Sequence, residues 1–89
     1  MKMLNDDIKK ITTIKQYLLD PPVSFKLHNY AVDYLTDAVE VLTAYPNAKD
    51  TRDYLQHSLE QLQDKTIPQQ QLRSTLIDAG KKISGLTSK

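Results

Sequence analysis

Residues 25–45 carry the longest amphipathic pattern in the chain, and no other feature constrains the fold as strongly. At about 100° per residue, Leu27, Tyr30, Ala31, Tyr34, Leu35, Ala38, Val41, Leu42 and Tyr45 crowd onto one arc. Asn29, Asp33, Thr36, Asp37 and Glu40 take the opposite side. Phe25, Val32 and Val39 add a second apolar line beside Leu35 and Leu42. The apolar arc is wider than the roughly 100° stripe of a helix that rests on a single neighbour. Such a helix touches more than one partner. The pattern predicts the central helix of a small bundle.

Three flanking segments repeat the helical period. The first covers residues 5–19, with Asn5 as N-cap and Asp6 and Asp7 at the positive end of the helix dipole. Ile8, Ile11, Leu18 and Leu19 form its inward stripe, with Ile14 and Tyr17 at the margin and Lys15 laying its methylenes along the core edge. Asp20-Pro21-Pro22 stops it, because proline removes a donor and excludes its predecessor from the α region. The second helix is expected over 24–45, capped by Ser24 and ended by Pro46. The third is expected over 48–63 with Ala48, Thr51, Tyr54, Leu55, Ser58, Leu59 and Leu62 inward. This is the weakest apolar face, so this helix is expected to be the most mobile.

The fourth helix is expected over 67–84. Thr66 and Gln69 form a capping box, Pro68 sits in the first turn, and Leu72, Leu76, Ala79 and Ile83 face inward. Gly85 is read as a left-handed C-cap, with Leu86 folding back onto the last turn. No alternating run bounded by turn residues competes with these helices. Short connections favour antiparallel neighbours, so the expected fold is all-α: one domain over 1–89, an antiparallel up-down-up-down four-helix bundle.

Composition excludes more than it selects. The chain has 89 residues and no cysteine, so neither disulfides nor thiolate metal sites can hold it together. No apolar run approaches the ~18 residues of a membrane span, and the start does not read as a secretory signal. A cytoplasmic protein is expected. A net charge of +1 does not suggest a nucleic-acid partner, although Arg73, Lys81, Lys82 and Lys89 make the last part basic.

Catalytic chemistry finds little support, and no enzyme, cofactor or metal is expected. Asp53, His57 and Glu60 share a helical face at loose metal-ligand spacing, but such a face is ordinarily solvated. The only glycines, Gly80 and Gly85, make no phosphate loop. Tyr30, Tyr34 and Tyr45 are either an aromatic pocket or, the favoured reading, core with hydroxyls at the rim. Ile77 stands off the buried line of its helix, one turn from Arg73 and one from Lys81. An isolated exposed isoleucine is ordinary, yet an apolar residue between cations also suits a partner-docking or membrane-surface patch.

The run Tyr54-Leu55, Leu59, Leu62, Ile67-Pro68, Leu72, Leu76, Gly80-Lys81-Lys82 and Gly85-Leu86 resembles the class IIa bacteriocin immunity proteins, the enterocin A immunity family. The likeness covers residues 53–86 by motif and the whole chain by helix plan. The resemblance implies a cytoplasmic antiparallel four-helix bundle that protects a Gram-positive producer cell against a pediocin-like pore-forming peptide. Protection would act through a membrane-embedded receptor and permease complex, with or without the bound bacteriocin peptide, held from the cytoplasmic side, with a location peripheral to the inner face of the membrane. In the family the C-terminal half tends to carry specificity. Carried onto this chain, that points to Arg73, Ile77, Lys81, Lys82, Leu86 and Lys89 as partner-binding residues.

The alternative is a small regulatory or oligomerising helical module of phage or mobile-element type, non-enzymatic, using the Phe25–Val32–Val39 line as its seam. The expected state is a monomer or weak dimer, with no nucleic acid bound.

Overall fold

The computed structural model describes residues 3–22, 26–64 and 66–87. They form four α-helices: α1 (Asn5–Leu19), α2 (Leu27–Thr43), α3 (Lys49–Gln61) and α4 (Gln69–Thr87), with a 3-10 turn at Pro46–Ala48 leading into α3. Among the described residues there is no strand.

The helix ends differ from expectation for local reasons. Leu4 occupies the N-cap of α1 in extended backbone and no side chain caps it. Asn5 is therefore already helical, while Asp6 and Asp7 lie in the first turn as expected. The Ser24 cap assigned to α2 lies outside the described residues. At the other end of α2, Pro46 holds Tyr45 extended (φ −123°, ψ 95°), so the helix stops at Thr43 and not at Tyr45.

The entry to α4 departs further. Thr66 donates both its backbone N–H (2.9 Å) and its hydroxyl (2.6 Å) to Asp64 Oδ1. Asp64 makes the turn, and α4 begins at Gln69 with Pro68 contributing the carbonyl that accepts the Leu72 N–H at 2.9 Å. Gly85 does not end the helix. No glycine has positive φ, and α4 continues to Thr87 with Leu86 packed against the core and not folded back.

One core joins the four helices. Ile11, Ile14 and Leu18 enter it from α1, and Leu27, Ala31, Leu35, Ala38 and Leu42 from α2. Leu55, with Ala48 and Leu62 on either side of α3, meets Leu72, Leu76, Ala79 and Ile83 of α4. Thr51 and Ser58 are buried too, and the Ser58 hydroxyl is satisfied by the Tyr54 carbonyl at 3.0 Å. The inward face expected of the third helix is the face the structure buries.

In α1 the inward stripe is rotated. Ile14 is buried, whereas Ile8 and Leu19 are 39% and 38% exposed. The rotation follows from packing: α1 rests most extensively on α4, and α2 on α3, with lesser contacts between α1 and α2 and between α3 and α4.

Gly80 explains the closeness of the first pair. A Cβ there would sit 2.9 Å from Cγ and Cδ2 of Leu19 and 3.2 Å from Cβ of Leu18. The missing side chain lets α1 approach α4.

Candidate functional site

The candidate residues of α4 divide between different surroundings. Arg73, Ile77 and Lys81 follow one another at single-turn spacing, so they share a flank. Arg73 is half-buried and its guanidinium reaches the Pro22 carbonyl beyond the end of α1, at 3.4 Å. Ile77 is half-buried and Lys81 exposed. Lys82 lies on another side: its ammonium sits 5.3 Å from the ring centroid of Tyr54 in α3, a cation–π arrangement. Leu86 is packed against the core and Lys89 lies outside the described residues. The structure thus groups Arg73, Ile77 and Lys81, and separates Lys82 and Leu86 from them.

Neighbours of this flank were misassigned from sequence. Leu19 packs against Gly80, beside Ile77 and Lys81, and stays partly exposed. Ile8 lies three turns earlier on the same flank of α1, and Leu4, just ahead of the helix, is 72% exposed. The spacing of Ile8 and Leu19 was legible as a stripe. Its direction, toward the rim of the α1/α4 seam and not into the core, was not.

Charge adds to this. Helix α1 has three lysines against two aspartates, and α4 has three cations against Asp78 alone. Helix α2 has three acids and no cation, and α3 has two cations against three acids. The α1/α4 pair therefore carries net +3 and the α2/α3 pair net −4. A chain that is nearly neutral by composition is electrically divided in space.

The histidines have structural surroundings. His28, near the start of α2, donates from Nε2 to the carbonyl of Leu62 at 2.6 Å, satisfying an acceptor just past the end of α3. It borders an open cleft of 490 Å³ lined by Asn29, Val32, Asp33, Leu62 and Gln63. His57 is exposed, with Nδ1 4.0 Å from Glu60. Asp53 turns instead to Arg52 (3.0 Å) and Lys49 (3.7 Å), and the Arg52 hydrogen bond holds its carboxyl below the usual range. Asp53, His57 and Glu60 are not brought together. Among the described residues no three acidic or histidine side chains are placed to hold a metal.

The tyrosines also part company. Tyr34 stacks on Tyr17 (centroids 4.5 Å apart, planes at 21°), and burial, followed by the Tyr17 hydrogen bond, pushes its hydroxyl pKa up. Tyr45 donates to the Asp7 carboxylate and accepts the Leu4 N–H at 3.1 Å. Tyr30 is 43% exposed, not core as expected. Three residues facing different surroundings do not line one pocket. Of the seam proposed for self-association, Val32 and Val39 already pack partly buried against the core, and Phe25 lies outside the described residues.

Fold and site together define an all-helical protein with a mixed apolar and basic flank on one helix pair. Comparison of the chain with protein-family models, curated protein sequences and solved structures finds no match among them. Among the described residues no helix is long and apolar enough to cross a membrane.

Proposed function

We propose that this chain is a bacteriocin immunity protein. It protects a Gram-positive producer from a pediocin-like pore-forming peptide by engaging the membrane receptor and permease complex from the cytoplasmic side. The reading rests on the resemblance of residues 53–86 to that family. The structural observation that carries it is the Arg73–Ile77–Lys81 flank, an apolar side chain between two cations on a well-packed helix. Its mechanism is occupancy, with no bond made or broken.

The proposed topology is up-down-up-down, helices antiparallel to their neighbours. Three contacts support it. The Leu4 N–H, ahead of α1, bonds Tyr45 past the end of α2. His28, near the start of α2, bonds Leu62 past the end of α3. Lys82, late in α4, lies over Tyr54, early in α3.

The test is protection of a bacteriocin-sensitive Gram-positive strain expressing the chain, challenged with a panel of pediocin-like peptides. Selective resistance to one or two peptides is expected, and Arg73→Glu combined with Lys81→Glu abolishes it without loss of helicity. Full protection by that double variant overturns the assignment of the flank.

A further inference from the structure

The exposed apolar residues of α1 and the separation of charge between helix pairs point to one surface. Among the described residues, four of the five large hydrophobic side chains that stand exposed, Leu4, Ile8, Tyr17 and Leu19, belong to α1 or the residue before it. Ile8 and Leu19 lie on one flank of α1, and Leu19 packs on Gly80 of α4, one turn after Ile77. By helical spacing, Lys9 and Lys15 of α1 and Arg73 and Lys81 of α4 fall within about 100° of these residues on their own helices.

Of the carboxylates of this helix pair, Asp20 alone adjoins the flank, next to Leu19 where α1 ends. Asp6 lies two residues before Ile8 and Asp78 two before Gly80, each therefore about 160° round its helix. Asp7 is turned to Tyr45. The row is a ridge along the α1/α4 seam, and the 490 Å³ cleft lies elsewhere, between α2 and α3.

We infer that the α1/α4 face docks on the surface of an anionic lipid bilayer. Ile8, Leu19, Ile77 and Leu4 enter the headgroup boundary, and the four cations contact lipid phosphates. Apolar residues rimmed by lysine and arginine bind such a surface by adding buried area to electrostatic attraction. A bilayer is favoured over a second copy for a geometric reason. The complementary acidic surface of another molecule is its α2/α3 face, so the contact would join unlike faces and leave each copy with an unused one. The inference extends the proposed function by naming lipid as a partner of the same side of the molecule and by adding α1 to it. It does not require that function to be correct.

Flotation of the purified chain with phosphatidylglycerol-rich vesicles, and with pure phosphatidylcholine vesicles, tests it. Binding to the anionic vesicles alone is expected, with release at high salt because the cations are screened. Lys9→Glu with Lys15→Glu is expected to weaken partition by at least roughly twentyfold. Lys49→Glu with Arg52→Glu, the same change of net charge on α3, is expected to leave partition nearly intact. Leu4→Ser with Ile8→Ser weakens binding at every salt concentration.

Equal weakening by both charge-reversed pairs overturns the inference, since net charge and not this face would then govern. Absence of binding overturns it as well. A concentration-dependent oligomer that Lys9→Glu with Lys15→Glu dissolves, without lipid binding, assigns the face to a second copy. Lipid binding without protection in the peptide challenge defeats only the immunity reading; protection without lipid binding defeats only this inference.

Discussion

Tyr45 ties three parts of the chain together: its own position past the end of α2, the Asp7 carboxylate in the first turn of α1, and the N–H of Leu4 at the start of that helix, which its hydroxyl accepts. The hydrogen bond to Asp7 raises its hydroxyl pKa above the ordinary value, the backbone bond from Leu4 opposing in part. A raised pKa means that folding favours the neutral hydroxyl. The stabilisation is complete below the ordinary value of about 10 and is lost as pH rises through the higher folded value. Tyr45→Phe is accordingly expected to be less stable than the parent at neutral pH, and the gap is expected to narrow above about pH 10. Chemical denaturation of both proteins across that range measures it, and a gap independent of pH would refute the role given to the hydroxyl. In the sequence Tyr45 was readable as an amphipathic position with its hydroxyl at the rim. Its partners, about forty residues away along the chain, were not.

At the scale of elements, the α1/α4 contact depends on the absence of one side chain. Replacing Gly80 by a larger residue gains helix propensity, worth a few tenths of a kcal/mol for valine over glycine. Against that, atoms would have to fit where even a Cβ lies 2.9 Å from Leu19 and 3.2 Å from Leu18. Overpacking of this kind costs about 1–3 kcal/mol, so the steric term wins. Gly80→Val is expected to lower the urea midpoint with little change in slope, and an unchanged or higher midpoint would show that α1 moves away freely. The pattern of the chain located all four helices, because each has a periodic apolar face. It located their ends less well. Gly85 read as a terminator, yet Leu86 finds the core by continuing the helix, and the fourth helix, expected from residue 67, begins at Gln69 after a turn in which Asp64 holds Thr66.

On the scale of the whole molecule, hydrophobic content is shared unevenly. Within α3 the fully buried aliphatic is Leu55, accompanied by Thr51 and Ser58, whereas α2 buries Leu27, Leu35 and Leu42 with two alanines. Burial of a leucine contributes about 1.5–3 kcal/mol, so α3 holds on by far less than α2. Hydrogen exchange is expected to be fastest in the backbone amides of α3 among the helix interiors. Equal protection in α2 and α3 would mean that the two open only together. The same division by helix pairs governs charge, net +3 on α1/α4 and net −4 on α2/α3.

What the sequence determined by itself was the all-helical class, the four helices and most of the core, because apolar periodicity is a local property that each segment expresses before it meets another. It also placed Arg73, Ile77 and Lys81 on one flank, since single-turn spacing puts side chains on one row wherever the helix lies. Tertiary packing alone decided which helices became the closest neighbours. That choice turned Ile8 and Leu19 outward and drew Lys82 to Tyr54. It also divided a nearly neutral composition into a basic pair and an acidic pair. These outcomes depend on distances between segments far apart in the chain, and a spacing pattern within one helix carries no information about them.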